Sequence, residues 1–291
     1  MIIGNSNIIG RYNGSGTPSY LLDTYSATAA YSLRQLKTGV AKVVRVRRSG
    51  DNREENFTAT EVTDGTLAGF VDLGGGTQQG FLTVWYDQAG SADLTQTTAT
   101  LQPEIYDNTS GLRTFGNGNC LGFPIASNNY MNTGSSISEL NDAPFSIFAA
   151  AQNNQPSQGA VICENLNNGG TGKVQLRLDT DGTSNLMFRY KNSSGTNYDI
   201  GASTNLSSST PYLISAFSDA SKNISEFDNG NTGGTNTFTG SYTGNDFYIG
   251  KVGDASVYLK GKIAELIIFG TDQTSNRTSI ESDINTYYSI Y

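Results

Sequence analysis

The chain has 291 residues, of which 36% are hydrophobic, so it is long enough to bury a full core. Its net charge of −8 at pH 7 argues against a nucleic-acid binder, which needs a basic face, and no stretch reaches the ~18 apolar residues of a membrane helix. The absence of histidine removes the commonest general base and zinc ligand. We expect no metal ion, no cofactor and no membrane insertion.

The first 20 residues, MIIGNSNIIGRYNGSGTPSY, carry too little apolar material to fold alone. Isoleucine pairs at 2–3 and 8–9 would cost free energy if left in water. The segment is either a loose arm or an arm that docks on a neighbouring subunit, and composition leaves both open. We therefore predict an arm over 1–20 and a folded domain over 21–291. The N-terminus lacks the charged and apolar regions of a classical signal peptide.

The next stretch, DTYSATAAYSLRQLKT at 23–38, has a helical pattern. Asp23 or Thr24 is placed to cap its start and Gly39 is placed to end it. The sequence therefore predicts a short helix over 23–38.

Strand patterns then dominate the chain, with apolar and β-branched residues between turn-forming Gly, Asn and Ser. The predicted strands lie at 43–47, 81–86, 145–151, 160–163, 173–179, 185–190, 212–218, 246–250 and 257–269. Residues 173–190 predict a hairpin with an Asp-Gly turn, and the polar tracts at 192–210 and 228–245 predict loops. Cys120 and Cys163 leave a disulfide possible but not implied.

The chain ends in an amphipathic pattern, TSNRTSIESDINTYYSIY. Ile280, Ile284, Tyr287 and Tyr291 recur at steps of four, three and four residues, which predicts a closing helix with a buried aromatic end. Many strands with helices only near the two ends predict an all-β antiparallel sandwich rather than an alternating βα fold.

Four motifs follow one another in a recognisable order: AYSLRQL (30–36), VVRVRRSGDNREENF (43–57), GFLTVWYDQAGSADLTQ (80–96) and LQPEIY (101–106). This series resembles the catalytic domain of the α-L-arabinofuranosidase B enzymes, glycoside hydrolase family fifty-four. It is closer still to phage virion proteins that carry the same signature. The resemblance implies a concanavalin A-like jelly-roll β-sandwich that handles carbohydrate, and it does not by itself imply hydrolysis.

The tail from residue 261 onward resembles the last strand and helix of concanavalin A-like, laminin-G-like modules. The N-terminal motifs belong to the scaffold of those enzymes, so Trp85 is expected in the core. Asp87 and Gln88 are expected to satisfy backbone groups at a polar corner, with Arg47 or Arg48 as ionic partner. The alternative is that Asp87 binds a sugar directly.

Catalysis by the resembled mechanism requires two carboxyl groups. By order along the chain, Glu164 is the candidate nucleophile and Asp254 the candidate acid. The sequence departs from the family pattern, because Cys163 stands alone beside Glu164 where those enzymes have adjacent cysteines. The alternative is a strand-end glutamate paired with a cation and an aspartate in a turn.

A carbohydrate-binding site needs fewer specific groups than catalysis does. Aromatic rings pack on the apolar side of a sugar, and Asn, Asp and Gln side chains form hydrogen bonds with its hydroxyls. Tyr130, Tyr198 and Tyr242 lie in loop-like sequences rich in Asn and Asp, which favours a neutral sugar over an acidic one. Each of them could equally be a structural loop anchor.

Three functions stay open. In the first, the chain is a phage virion protein (a head fibre, tail fibre or decoration subunit) whose lectin-like domain binds host or environmental glycan. In the second it is a glycoside hydrolase of the arabinofuranosidase type, and in the third a structural virion subunit without a ligand. The resemblance implies other virion proteins and surface polysaccharide as partners, a homo-oligomer such as a trimer, and a virion location after assembly in the host cytoplasm.

Overall fold

The computed structural model describes residues 11–13, 17–73, 77–155, 160–167, 169–178, 185–253 and 256–291. The elements of the first half are β1 Arg11–Asn13, β2 Thr17–Ser19, α1 Leu21–Thr24, β3 Ala29–Ser32, β4 Val44–Arg48, β5 Glu54–Phe57, α2 Ala59–Thr63, α3 Thr66–Asp72, β6 Gly80–Trp85, β7 Leu94–Thr95, β8 Glu104–Asp107, β9 Gly111–Leu112, β10 Thr114–Phe115, β11 Gly118–Asn119, β12 Leu121–Phe123 and β13 Met131–Asn132.

The second half carries the longer strands. Its elements are β14 Phe145–Asn153, β15 Val161–Leu166, β16 Lys173–Arg177, β17 Asn185–Lys191, β18 Asn197–Asn205, β19 Tyr212–Ser218, β20 Asn223–Asp228, β21 Asn231–Thr237, β22 Asp246–Ile249, β23 Gly261–Phe269 and the C-terminal helix α4 Arg277–Tyr288.

Antiparallel hydrogen bonding joins 19 of the strands into one continuous sheet that folds into two layers. The helix-side sheet has the order β3-β23-β14-β19-β20-β21. The polar-side sheet has the order β5-β4-β6-β7-β13-β22-β15-β16-β17-β18. Strands β8 and β12 link the two layers. The predicted all-β sandwich is confirmed.

The main core lies between the two layers, where alternate residues of both sheets meet. Tyr31 of β3 and Trp85 of β6 are fully buried, and their ring centroids lie 5.8 Å apart. Ile147 and Leu176 are buried in the same cluster from opposite layers. The strand that carries the chain's single tryptophan therefore supplies a core aromatic, as the sequence predicts.

A second core lies on the outer face of the helix-side sheet. Ile280, Ile284 and Tyr288 of α4 pack there with Phe148 and Ile267. The predicted closing helix is thus confirmed, but it ends at Tyr288 because the next residue adopts a left-handed backbone conformation with φ of 52°. As a result, Tyr291 leaves the helix and is 54% exposed, contrary to the predicted stripe.

The predicted helix over 23–38 is wrong. Helix α1 ends at Thr24, and Ala29–Ser32 form a strand that pairs antiparallel with β23. Tyr31 faces the main core while Ala30 faces the second core, so this strand is buried on both sides. A segment buried on both faces shows no strand alternation, and its alanines favour a helix by intrinsic propensity.

The polar tracts at 192–210 and 228–245 were predicted as loops, yet each contains a strand. Asn197–Asn205 pair with β17, and Asn231–Thr237 pair with β20. Each has a single strand partner within the described residues and lies at the end of its layer. Polar, glycine-rich edge strands keep a sheet from pairing with another molecule, which explains why their composition resembles that of loops.

The predictions for the hairpin, the cysteines and the N-terminal arm can be compared with the structure only over the described residues. Strands β16 and β17 form the predicted hairpin, while its turn at 179–184 lies outside the described residues. Cys120 and Cys163 are both buried and unbonded. Of the predicted arm, Arg11–Asn13 pair with Thr17–Ser19, and residues 1–10 and 14–16 lie outside the described residues. Within the described ranges, no helix combines the length and apolarity needed to span a membrane.

A buried ion pair fixes the N-terminal segment to the helix side. The Arg34 guanidinium donates to Glu265 of β23 at 2.8 and 2.9 Å and contacts Asp283 of α4 at 2.7 Å. Burial acts to lower the pKa of Arg34, but the Glu265 carboxylate outweighs it and raises that pKa. Ser32 also donates to Glu265 at 2.8 Å. The guanidinium therefore stays charged and ties three distant segments together.

Replacing Arg34 by methionine (Arg34→Met) should lower the free energy of unfolding by about 3–5 kcal/mol, because Glu265 would remain buried without its cation. Urea denaturation measures this change. Arg45→Met is the matched control: it breaks an ion pair with Glu54 in which the arginine side chain is 46% exposed, and it should cost less than about 1 kcal/mol. Equal losses in the two variants would contradict the assignment.

Glu226 of β20 is a second buried acid, but it is unpaired. Its side chain is fully buried, and neither carboxyl oxygen has a hydrogen-bond partner within the described residues. Gly233 leaves room for it, since a Cβ there would lie 2.7 Å from Oε2. Burial, reinforced by the charge of Asp228, raises the pKa of Glu226 to about 8. The folded protein therefore holds a proton that the unfolded chain releases near its ordinary pKa of 4.5.

Because the folded state binds this proton more tightly, the contribution of Glu226 to stability is full below pH 4.5 and is lost as pH rises toward 8. The glutamine of Glu226→Gln cannot titrate. Over that window the free energy of unfolding should therefore fall less in the variant than in the wild type, the difference being up to about 1.4 kcal/mol for each pH unit. Urea denaturation at both ends of the window measures this. Glu55→Gln, at an exposed site, should keep the wild-type slope. A wild-type slope in Glu226→Gln would contradict the prediction.

Candidate functional site

The outer face of the polar-side sheet carries a row of polar side chains that face away from the core. Strand register places Tyr248 of β22 opposite Glu164 of β15, and Glu164 opposite Gln175 of β16. The row continues through Arg189 and Asp199, whose side chains form two hydrogen bonds of 2.7 Å. No helix is needed to build this face, because alternation within each strand puts every second residue on it.

Glu164, the predicted nucleophile, is fully buried at the centre of this row. Its Oε1 accepts from Gln175 Nε2 at 2.7 Å and lies 3.0 Å from the Lys173 ammonium. Its Oε2 accepts from the backbone N–H of Gly253. Both carboxylate oxygens are thus engaged, and the arrangement matches the alternative of a strand-end glutamate paired with a cation.

Gly253 reaches Glu164 because it has no side chain. A Cβ at this position would lie 2.3 Å from Leu166 Cδ2 and 2.9 Å from Tyr248 Cε2. Asp254, the predicted acid, lies outside the described residues. The structure therefore brings the residue before Asp254 into contact with Glu164, and it leaves the separation of the two carboxyl groups undefined.

Three tyrosines from separate segments meet beside Glu164 and form what we term the tyrosine rim: Tyr130, Tyr248 and Tyr258. The ring centroid of Tyr130 lies 6.1 Å from that of Tyr248 and 6.5 Å from that of Tyr258. All three side chains are half-buried. The Lys251 ammonium lies 4.8 Å from the Tyr130 centroid and 5.6 Å from that of Tyr248. The rim thus offers partly exposed aromatic surface next to buried polar groups.

Tyr248 stays a neutral phenol. Burial raises its pKa, and a hydrogen bond to Asp246 raises it further. Asp246 also accepts from Asn132 Nδ2 at 3.1 Å. Carboxylate, amide and phenol at this edge of the sheet are the polar groups that recognise sugar hydroxyls.

The other two predicted sugar-binding tyrosines lie in a different cluster. Tyr242 is 4% exposed, and its hydroxyl donates to the backbone oxygen of Asn165 at 3.1 Å. Its ring packs against Tyr190, which stacks on Phe238. Tyr198 is half-buried and contacts the same Phe238 at 6.3 Å. Tyr242 is therefore covered by protein, and neither residue contacts the tyrosine rim.

The predicted polar corner forms without its predicted ion pair. Asp87 accepts from the backbone N–H groups of Ala30, Ala89 and Ala92 at 2.8, 2.9 and 3.1 Å. It contacts neither Arg47 nor Arg48. Backbone amides are thus its donors, and they fix the turn that follows β6 against β3.

Gln88 anchors the segment after β3 in the same way. Its Oε1 accepts from Leu36 N–H at 2.7 Å, and its Nε2 donates to the carbonyls of Ser32 and Arg34 at 2.9 Å each. The side chain is 5% exposed, so all three bonds are shielded from water. This clamp positions Arg34 toward Glu265.

The two arginines have other partners. Arg47 donates to Gln102 Oε1 and Asn52 Oδ1, each at 2.8 Å. Arg48 binds Asp51 through two hydrogen bonds of 2.7 and 2.6 Å. The prediction of an ionic partner for Asp87 is wrong because nearer acceptors on the loops at 49–52 and 102 already satisfy both guanidinium groups.

The cysteine beside Glu164 is buried. Cys163, next to Glu164, is 1% exposed, and burial raises its pKa to about 12. A thiol with that pKa is protonated near neutral pH and is therefore a weak nucleophile. Among the residues that the structure describes, no three His, Cys, Asp or Glu side chains are grouped to hold a metal ion.

The arrangement of strands matches that of solved GH54 α-L-arabinofuranosidases. One, soaked with a cyclic sulfate inhibitor, aligns with 90% of this chain at 12% identity and a TM-score of 0.63. A glutamate-to-glutamine variant soaked with 4-nitrophenyl α-L-arabinofuranoside gives 0.65 at 13% identity. An arabinofuranosidase complexed with arabinofuranosyl-α-1,2-xylobiose gives 0.60 at 15% identity. The chain has a GH54-like sandwich fold.

This likeness extends to the fold alone, because identity is so low. The chain spans 63% of the length of each of these three proteins. No protein-family model and no curated protein sequence matches it. The GH54-like part of the resemblance seen in the sequence is therefore supported by structure, and the activity has to be argued from the site.

Sequence reasoning missed Tyr248, Tyr258 and Lys251. The tyrosines predicted as sugar-binding all lie in loop-like sequences, whereas Tyr248 lies within β22 between the core residues Phe247 and Ile249. In the sequence, the alternation of Tyr248 with its apolar neighbours already indicates that its side chain lies on the outer face. No such signal exists for Tyr258 or Lys251, since their position depends on the bridge that pairs these two residues.

Proposed function

We propose that the chain is a carbohydrate-binding protein whose site is the tyrosine rim. The observation that carries this proposal is the convergence of Tyr130, Tyr248 and Tyr258, each half-buried, from three separate segments. Aromatic side chains that are partly exposed and held together offer a surface for the apolar face of a sugar ring. The neighbouring Asp246 and Asn132 supply acceptor and donor groups for hydroxyls.

Binding is favoured over hydrolysis by the state of Glu164. A retaining glycosidase needs a nucleophile that reaches the sugar carbon, with a second carboxyl group about 5–5.5 Å away. Glu164 is fully buried, and Lys173, Gln175 and the Gly253 amide occupy its oxygens. In this arrangement the carboxylate fixes the backbone at Gly253, next to Tyr248 of the tyrosine rim.

Hydrolysis is the second candidate, and one contact favours it. The Gly253 amide lies on the Glu164 carboxylate, so the segment that contains Asp254 adjoins the predicted nucleophile. The GH54-like fold is consistent with this candidate. Gly253 would have to move off Glu164 before this carboxylate could act on arabinose-containing polysaccharide.

We also propose the biological setting that the sequence resemblance implies: a phage virion protein, as a head fibre, tail fibre or decoration subunit, that adheres to host or environmental glycan. Support for it comes only from the motifs between residues 30 and 106. A homo-oligomer such as a trimer would raise the avidity of weak sugar contacts. A virion subunit without any ligand is the outcome if no glycan binds.

Tyr130→Ala and Tyr248→Ala should each weaken glycan binding about tenfold, because each removes about 1.4 kcal/mol of apolar contact with the sugar. A glycan array identifies the ligand, and isothermal titration calorimetry measures the affinity of each variant.

Tyr198→Ala is the matched control, since Tyr198 is also half-buried but lies in the other aromatic cluster. It should bind as the wild type does. Loss of binding in Tyr198→Ala with retention in both rim variants would place the site elsewhere.

Product analysis by mass spectrometry on every glycan that binds separates the two candidates. Unchanged glycan is expected. If pentose is released instead, Glu164→Gln should abolish release while leaving binding in place, because the amide keeps the shape of the side chain but is not a nucleophile. Release that survives in a folded Glu164→Gln protein would remove Glu164 from any mechanism.

A further inference from the structure

Among the described residues, Lys251 has no anionic partner. Its ammonium lies against the rings of Tyr130 and Tyr248. Within the described residues it forms no ion pair and donates no hydrogen bond. The side chain is half-buried. Its three N–H donors are therefore left for solvent or for a ligand, although the protein holds the ammonium in a defined place.

Three other lysines, two near the rim and one at the other aromatic cluster, have partners. Lys173 pairs with Glu164 at 3.0 Å, and Lys260, which lies over Tyr258, donates to the backbone oxygen of Ser127. Lys222 pairs with Asp142. The protein carries 26 acidic against 18 basic side chains, so a carboxylate for Lys251 would be easy to supply. Because no carboxylate of the described residues pairs with Lys251, we look for the negative charge in the ligand.

We propose that the tyrosine rim binds a sugar that carries a carboxylate, a uronate-type residue, with Lys251 as the group that recognises the charge. This inference rests on the proposed function and names the class of glycan. The apolar face of the sugar ring lies on Tyr130 or Tyr248, and its carboxylate accepts from the Lys251 ammonium. This proposal of an acidic sugar replaces the neutral sugar that the Asn-rich loops favour.

A carboxylate on the ligand is favoured because Lys251 is partly removed from water. A salt bridge at a fully exposed site is worth little, whereas an ammonium packed between rings has already lost part of its hydration. A ligand carboxylate then gains more from pairing with it. Among the described residues, Asp246 accepts from Asn132 and from Tyr248 of the rim, and it forms no ion pair with Lys251. It therefore does not neutralise Lys251.

The test uses matched ligands: oligomers of galacturonate, glucuronate and guluronate, each with its carboxyl-reduced neutral form. Wild-type protein should bind one uronate oligomer at least tenfold more tightly than its reduced form, and added NaCl should weaken only the uronate complex. Lys251→Gln should lower uronate affinity about tenfold and so bring it close to the affinity for the carboxyl-reduced form. Lys251→Arg keeps the charge and should stay within about threefold of the wild type.

Lys42→Gln is the control variant, because the Lys42 ammonium also lies over a tyrosine ring, that of Tyr86 at 3.8 Å, but on another part of the surface. It should bind uronate as the wild type does. Equal binding of uronate and reduced oligomers, or full uronate affinity in Lys251→Gln, overturns this inference and leaves the proposed function standing. If neither these oligomers nor any array glycan binds, the proposed function itself is overturned.

Discussion

The ion pair between Arg34 and Glu265 is the interaction on which the helix side of the molecule depends. Burying either charge alone would cost several kcal/mol, so each needs the other. Gln88 holds the backbone that places Arg34, and Asp283 of α4 completes the contact. One guanidinium thus connects the strand after α1, the central strand β23 and the C-terminal helix. Folding of the N-terminal segment and docking of α4 are therefore expected to be cooperative.

The two outer faces of the sandwich differ because only one is apolar. The helix-side sheet presents Phe148 and Ile267, which α4 covers. The polar-side sheet presents Glu164, Gln175 and Arg189, for which no apolar cover would be favourable. Its central side chains are buried, whereas the tyrosine rim beside them is partly exposed and suited to contact with a hydrated ligand such as a sugar. The same sandwich core supports a structural face and a recognition face.

The sequence predicts local features well and long-range ones poorly. The closing helix was recognisable because Ile280 and Ile284 repeat at helical spacing, and that repeat needs no partner to be seen. The strand within segment 23–38 shows no such repeat, because it is buried on both faces between the two cores. Tyr130 was predicted from its polar neighbours in the loop. Its meeting with Tyr248 depends on the register of β13, β22 and β15, which no local pattern encodes.

The packing of Leu21 and Leu22 in the same outer cluster as α4 has a consequence for how the domain can be attached. Leu22 and Tyr288 both pack on the helix side, on the layer opposite the one that carries the tyrosine rim. A tether at either end therefore points the rim away from its support. Immobilised through one end on a surface, or carried on a larger body, the domain would present its recognition face outward without any hinge.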